Sequence, residues 1–305
     1  SANKALPWSL GLIERFEDLW NWSALSGSEA LPWSLELIER FEDRWNWRAH
    51  HAWDNLAANE ALPWSPELIE RYKGRWNRWF ISANKALPWS LELIECFLDS
   101  WQWHVLPGNE ALPWSLELIE RYKDRWYWRS LSENEALPWS LELIERYKDR
   151  WYWRILSENE ALPWSRELIE RYEDRWSWAG LSGNELPWSL ELIEHYEGRW
   201  DWERLSKNMA LPWSFELIEQ YKGRWDWERL SKNTALPWSL ELIERFKDSW
   251  DWGQYFLDGL SGNAALPWSL ELIERFEDLW DWHSAGVLLR RTKILVLSSS
   301  AIDGL

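Results

Sequence analysis

The chain has 305 residues, of which 51 are Asp or Glu and 34 are Lys or Arg, so its net charge at pH 7 is −17. Such an acidic surface repels phosphate backbones, which excludes direct nucleic-acid binding as an expected function. No apolar run approaches the roughly 18 residues of a membrane span, so no membrane segment is expected. The single cysteine, Cys96, cannot form an internal disulfide and weakly favours a reducing, cytoplasmic compartment; we expect it on the surface.

The phrase Leu-Pro-Trp-Ser, followed by a Leu-Ile pair, occurs eleven times, and most copies are 25 residues apart. Its prolines are Pro7, Pro32, Pro63, Pro88, Pro113, Pro138, Pro163, Pro187, Pro212, Pro237 and Pro267. A fixed period of this size indicates a repeat array in which each repeat is too small to bury a core alone. We therefore predict a repeat domain over 1–282 and a non-repeat segment over 283–305, either an end cap or a tail. The chain starts in mid-repeat, since residues 1–5 match residues 82–86, and we expect it to be a piece of a longer array.

The first half of each repeat predicts a helix, here called the A helix. In the second repeat Ser34 has the side chain of a helix N-cap, and Leu37, Ile38, Phe41 and Trp45 then share one helical face. This pattern predicts a helix from Ser34 to Arg44.

The second half reads Trp-x-Trp-x-x-Leu-Ser-x-Asn, as at Trp225 to Asn233. The residue between the tryptophans is Asn, Asp or Ser in most repeats, which are again N-cap types. The pattern predicts a B helix of six or seven residues. We expect Asn233 to end it in the left-handed conformation that asparagine tolerates. The fold class is thus predicted as all-α, an α-solenoid of eleven two-helix repeats.

A leucine-rich-repeat-like α/β solenoid is the alternative, since 25 residues falls within that family's period and Trp-x-Trp alternates as a short strand would. Tyr127 and Tyr152, between their tryptophans, are better strand residues than caps. The offsets disagree with it, however. Apolar residues precede Asn208 by three, six and eight positions, whereas the leucine-rich pattern has three, five and eight.

Of the 34 tryptophans, three in each of eleven repeats make 33, and Trp53 in an insertion is the remaining one. Regular copies favour a structural role, with large buried areas and each indole N–H bonded to a neighbouring carbonyl. Trp53 and Trp79 are out of register, so we expect these two to be exposed.

The departures from the repeat mark the candidate partner-binding surface. Two insertions, after Trp47 and after Trp252, emerge at the same place in the repeat, and insertions at one place mark one face of a solenoid. Positions near the B helix also vary between repeats. The candidate partner-binding residues are Trp53, Trp79, His104, Tyr127, Arg129, Tyr152 and Arg154.

Nothing in the sequence indicates catalysis, and we expect no enzyme, no cofactor and no metal site. Each Leu-Pro-Trp-Ser serine is explained as a cap rather than a nucleophile, and no Gly-rich phosphate loop is present. The neighbouring His50 and His51 point apart on a helix, which disfavours a shared metal ion.

The phrase Trp-Asp-Trp-x-x-Leu-Ser-x-Asn, at residues 200–208 and 225–233, resembles the tryptophan-rich tandem repeats of uncharacterised proteins from bacteria and large DNA viruses. The resemblance covers residues 1–282 and implies no activity. We therefore expect a non-enzymatic scaffold that binds a protein or peptide, a basic one above all, along an extended surface. The alternatives are a structural protein that self-associates end to end into filaments and, with less support, a glycan-binding protein that uses Trp and carboxylates.

Overall fold

The computed structural model of the chain describes residues 3, 5–48, 50–253 and 259–282. Over these residues it consists of short helices and turns without a β-strand, so the predicted all-α repeat solenoid is confirmed and the leucine-rich-like alternative is wrong. The predicted C-terminal segment 283–305 and most of the second insertion lie outside the described residues. By its contacts the chain divides into two compact parts, residues 1–163 and 164–305, and within each part successive repeats pack on one another.

Every repeat opens with an A helix of six residues that begins directly after the phrase serine. In all eleven repeats that serine caps the helix as predicted; the Ser34 hydroxyl, for example, accepts the Leu37 amide at 3.1 Å. The A helices are α1 Leu10–Arg15, α3 Leu35–Arg40, α4 Pro66–Arg71, α6 Leu91–Cys96, α7 Leu116–Arg121, α9 Leu141–Arg146, α11 Arg166–Arg171, α13 Leu190–His195, α15 Phe215–Gln220, α17 Leu240–Arg245 and α18 Leu270–Arg275.

The A helix is shorter than predicted, because it ends at Arg40 and not at Arg44. The reason is a hydrogen bond from the Trp45 indole N–H to the Ile38 carbonyl at 3.1 Å. In a longer helix that carbonyl would accept the amide of Glu42, four residues on. The indole takes its place, and the chain turns back so that the tryptophan covers the helix.

The second half of the repeat forms a short B helix in repeats 1, 3 and 5–9, as predicted. Asp201 caps one of these helices by accepting the Arg204 amide at 3.1 Å. The B helices are α2 Trp22–Ser26, α5 Arg78–Ala83, α8 Trp128–Glu133, α10 Trp153–Leu156, α12 Trp178–Gly183, α14 Trp202–Lys207 and α16 Trp227–Lys232.

Three repeats have 3-10 turns where the B helix was expected. The turns are Ala52–Asp54 and Leu56–Ala58 in repeat 2, Leu106–Gly108 in repeat 4 and Leu260–Gly262 in repeat 10; a further one, Glu17–Leu19, follows α1. In repeat 4 the cause is local, because Pro107 has no amide hydrogen to donate and Gly108 disfavours a helix. In repeats 2 and 10 the insertion interrupts the segment.

The asparagine that ends each B segment does not adopt the left-handed conformation that we expected. Asn233 is extended, with φ −75° and ψ 117°, and its side chain is buried. Its amide nitrogen donates to the carbonyls of Ser206 and Asn208 in the preceding repeat, at 3.1 and 3.3 Å. Its amide oxygen accepts the Ala235 N–H at 2.9 Å. This one side chain therefore bonds three backbone groups in two repeats.

The same contact recurs along the chain and forms what we call the asparagine ladder. Its members, each buried and donating to a carbonyl of the preceding repeat, are Asn59, Asn84, Asn109, Asn134, Asn159, Asn208, Asn233 and Asn263. Because a buried backbone carbonyl without a partner is costly, the ladder fixes the spacing of the repeats.

A buried serine of the B segment makes a second link between repeats. The Ser231 hydroxyl donates to the Trp227 carbonyl at 2.7 Å and accepts the Asp251 amide of the next repeat at 2.9 Å. The serines that make both contacts, here called the serine column, are Ser26, Ser82, Ser132, Ser182, Ser206, Ser231 and Ser261.

The in-register tryptophans have the structural role that was predicted from their number. In repeat 2 the indole N–H groups of Trp33, Trp45 and Trp47 donate to backbone carbonyls at 2.7, 3.1 and 2.7 Å. The Trp33 and Trp45 rings pack within the repeat at 4.9 Å, and Trp47 packs on Trp76 of the next repeat at 4.8 Å. The indoles therefore fill the core and also bond backbone carbonyls that such short helices leave open.

Replacing one ladder asparagine should destabilise the chain far more than replacing its exposed neighbour. We expect Asn233→Ala to lower the free energy of unfolding by about 3 kcal/mol, because it leaves buried carbonyls of Ser206 and Asn208 without a donor. The matched control Thr234→Ala, on an exposed side chain, should change it by less than about 0.5 kcal/mol. Urea unfolding followed by circular dichroism measures both; equal stabilities would show that the ladder does not hold the repeats together.

Candidate functional site

The residue that directly follows the second tryptophan of Trp-x-Trp lies outside the buried face of the B segment, and we call it the variable position. In α8 the buried side chains are Trp128, Leu131 and Ser132, which are three and four residues apart and so share the inner face. Arg129 therefore points outward and is exposed. Residues at this position in the seven repeats that have a B helix and in repeat 4 are Ser23, Trp79, His104, Arg129, Arg154, Ala179, Glu203 and Glu228.

In repeats 3–6 this position belongs to a surface that we call the B face, residues 77–80, 102–105, 127–130 and 152–155. The B segments of these repeats (76–83, 101–108, 126–133 and 151–158) carry three arginines and two glutamates, which gives a net charge of 3 − 2 = +1. The whole chain carries −17. The B segments that carry the B face are therefore close to neutral in an acidic protein.

The out-of-register Trp79 lies on the B face and is 52% exposed, as predicted. Arg78 holds the preceding position, where other repeats have the second tryptophan, so the indole is displaced by one residue to the outer side of α5. Its ring contacts the His104 ring of the next repeat, with 5.1 Å between centroids. Variable positions of successive repeats are thus direct neighbours.

Repeats 5 and 6 form an open groove that begins on the B face and extends beyond it, with a volume of about 610 Å³. It brings together three predicted residues, Arg129, Tyr152 and Arg154. Tyr127 is exposed on the same face but does not line this groove. Five lining residues were not predicted: Glu133, Glu135, Ile155, Glu158 and Asn159.

One of these missed residues had a signal in the sequence. Repeats 5 and 6 are identical over residues 111–135 and 136–160 except that Ser130 is replaced by Ile155, and this single difference falls in the groove wall. The glutamates carried no such signal, because similar carboxylates occur in most repeats. The groove is lined by two guanidinium groups, three carboxylates and the apolar Ile155, and Arg129 pairs with Glu133 at 3.8 Å.

Trp53, in the first insertion, is 66% exposed, as predicted, and its ring stacks on His51 with centroids 5.7 Å apart. The 3-10 turn that contains it packs on α2. A Cβ at Gly27 would lie 1.9 Å from the Trp53 carbonyl oxygen, so the close approach requires glycine there. No contact joins Trp53 to the other predicted site residues.

Charged residues of the A half are largely occupied by contacts between repeats. The Arg150 guanidinium donates to the Lys123 carbonyl and to Asp124 of the preceding repeat, both at 2.6 Å. It also lies over the Trp128 ring, 5.5 Å from its centroid. Burial, and then a hydrogen bond to the Glu120 carboxylate, raise the pKa of Tyr147 to about 12. These side chains hold repeats together.

The described residues contain neither a cluster of metal ligands nor a membrane-spanning helix. Among residues 3, 5–48, 50–253 and 259–282, no three His, Cys, Asp or Glu side chains are grouped so that they could hold a metal ion. Over the same ranges, no helix has the length and apolar character needed to cross a bilayer.

Comparisons of the chain with protein-family models, curated proteins and solved structures gave no significant match. The resemblance to tryptophan-rich tandem repeats therefore stays a prediction, and the candidate site depends on its geometry alone.

The two kinds of tryptophan should respond differently to truncation. Trp151→Ala removes a buried ring that packs on Trp128 and Trp139, and should cost about 3–5 kcal/mol of stability. Trp79→Ala should cost less than about 1 kcal/mol, because the ring is half exposed. Urea unfolding measures both. An equally large loss for Trp79→Ala would mean that its ring serves the fold and is not available to a partner.

Proposed function

We propose that this protein is a non-enzymatic repeat scaffold that binds a protein or a peptide along the B face of repeats 3–6. The observation that carries the proposal is the exposed Trp79 ring, which contacts the His104 ring of the next repeat. Most other tryptophans are packed inside the repeats, whereas this ring is accessible to a partner. Aromatic and arginine side chains are the ones most enriched at the energetic centres of protein interfaces.

The groove of repeats 5 and 6 gives the partner a second, polar point of attachment. Arg154 suits a carboxylate of a bound segment, and Glu135 suits a cation of that segment. Arg129 and Glu133, which pair with each other at 3.8 Å on the exposed surface, can exchange this contact for contacts with the segment. A chain of net charge −17 also attracts a basic partner over longer distances. An extended peptide with both kinds of charge therefore fits this surface.

Charge reversal tests the proposal. We would pan a displayed peptide library against the purified chain, synthesise the most enriched peptides and measure their Kd by fluorescence anisotropy. The double variant Arg129→Glu, Arg154→Glu should weaken their binding by about tenfold or more, since it turns two attractive contacts into repulsive ones. The control Arg166→Glu changes an exposed arginine of α11 and should leave the Kd within about twofold.

Two results would count against the B face. Enriched peptides that bind the double variant as tightly as the unaltered chain would place their site elsewhere. A library without any enriched sequence would remove the support for peptide binding.

End-to-end assembly is a second candidate function, supported by the exposed ring of Trp282. Within the first part, the equivalent Trp128 stacks on Tyr147 and Trp151 of the next repeat and is 9% exposed. Trp282, in the last described repeat, is 51% exposed. Contacts of this head-to-tail kind continue without closing when another molecule supplies the next repeat.

Glycan binding has less support, because most indoles pack on each other and leave little free ring surface.

Light scattering over a concentration series distinguishes assembly from a monomeric scaffold. Assembly predicts a mass that rises with concentration above the 37.0 kDa of one chain. It also predicts that Trp282→Glu suppresses the rise, because a carboxylate would be buried at the contact. A constant monomer mass at all concentrations would contradict assembly and leave the binding scaffold.

A further inference from the structure

Five arginines at the ends of A helices reach back to glutamates of the preceding A helix, whereas Arg146 and Arg171 pair with glutamates of their own helix. Arg40 pairs with Glu14 at 3.0 Å, and Arg275 pairs with Glu244 at 2.7 Å. The same contact joins Arg71 to Glu39, Arg121 to Glu95 and Arg245 to Glu219. Each of these arginines spans the furrow between two neighbouring A helices.

At the junction of repeats 3 and 4 this arginine is replaced by Cys96. The thiol is exposed and too short to reach across. Glu70, the glutamate in the corresponding place, instead pairs with Lys73 of its own repeat at 3.4 Å. The furrow between α4 and α6 is therefore open, as a groove of about 840 Å³.

The groove combines an apolar floor with an acidic rim. Leu93 and Phe97 are buried beneath it, with the Lys73 ammonium 5.2 Å from the centroid of the Phe97 ring. Pro66, Glu67 and Glu92 line it on the exposed side, and the two glutamates form what we call its rim. A smaller groove between α3 and α4, of about 140 Å³, shares the Glu67 rim. The Arg71–Glu39 pair spans this second furrow, so the larger groove at Cys96 is the one considered as a binding site.

The charges of the rim are not balanced within the chain. Arg71 and Lys73, the two cations at the groove, are already paired with Glu39 and Glu70. Among the described residues, no cation lies within ion-pair distance of Glu67 or Glu92. Hydrogen bonds from their own backbone amides, and then from the capping serines, lower the pKa of both carboxyls. Both groups are therefore ionised at neutral pH and free to bind a cation.

We propose that this groove binds a short segment of a partner protein in which apolar side chains are flanked by lysines or arginines. The apolar side chains would cover Leu93, Phe97 and Pro66, and the cations would pair with Glu67 and Glu92. Charge complementarity selects this occupant, because an acidic segment would meet two unpaired carboxylates. The site lies on the A helices and does not depend on the B face.

The test uses a fluorescein-labelled peptide, Lys-Leu-Leu-Lys-Lys-Leu-Leu-Lys, titrated with the full chain and followed by anisotropy. Saturable binding that weakens as salt is raised is expected, because exposed ion pairs are screened. A peptide with glutamates in place of the lysines should not bind.

The decisive variant is Cys96→Arg, which restores the residue that most other repeats have. Its guanidinium should bridge to Glu70 and close the furrow, and we expect the peptide Kd to rise by about tenfold or more. Since other repeats already accommodate arginine here, the variant should fold, with a Tm no lower than that of the unaltered chain. The double variant Glu67→Gln, Glu92→Gln should also raise the Kd, by about fivefold.

Two controls separate the groove from the general acidity of the chain. Ser249→Arg adds the same charge at a position where other repeats have arginine, far along the sequence from the groove, and should leave the Kd within about twofold. Cys96→Ser keeps the small side chain without the thiol and should bind as the unaltered chain does. If Cys96→Arg binds the peptide as tightly as Cys96→Ser, or if Ser249→Arg weakens binding equally, the proposal is wrong.

Discussion

The fold depends on satisfying backbone groups that its short helices cannot satisfy themselves. A helix of six residues leaves most of its amides and carbonyls without an internal partner. The asparagine ladder, the serine column and the indole N–H groups supply those partners from side chains. Many of these hydrogen bonds, those of the asparagine ladder and the serine column above all, join one repeat to the next. Removing a neighbouring repeat would therefore leave backbone groups without partners. Cooperation between repeats is thus built into the backbone bonding as well as into the apolar core.

Several departures from the repeat fall where repeats 3 and 4 meet, and they spare the asparagine and serine bonds although Arg78 removes one indole N–H donor. Arg78, Cys96 and Ser100 replace a tryptophan and two arginines that other repeats use for side-chain contacts. Ser82 and Asn109 at the same junction keep their hydrogen bonds to the neighbouring repeat. The exposed Trp79–His104 contact and the open groove at Cys96 both result from these replacements, on the B and A sides respectively. This junction therefore keeps its asparagine and serine links while both of its surfaces change.

The sequence was sufficient for the repeat, the serine caps, the two kinds of helix and the exposure of Trp53 and Trp79, because each follows from local spacing. The sequence was insufficient for the length of the A helix. The indole N–H of Trp45 bonds the Ile38 carbonyl seven residues earlier, and helix propensities do not include such a side-chain bond. Asn233 was assigned the wrong conformation for a related reason. Its partners lie 25 and 27 residues earlier, and only the stacking of repeats brings them near. The grouping of Arg129, Tyr152 and Arg154 also depends on stacking, whereas the groove at Cys96 follows from a single missing arginine.

The insertions show that a repeat can contain extra residues and still keep the same backbone hydrogen bond. In repeat 1 the Leu25 amide bonds the Asn21 carbonyl four residues earlier; in repeat 2 the Leu56 amide bonds the Asn46 carbonyl ten residues earlier, at the same 3.0 Å. In repeat 10 the Leu260 amide bonds the Asp251 carbonyl nine residues earlier. The extra residues leave and re-enter the repeat at one closed point, and lengthening such a loop costs little free energy. This position in the B segment is therefore a suitable insertion site for foreign loops, because an added segment there would not shift any later repeat.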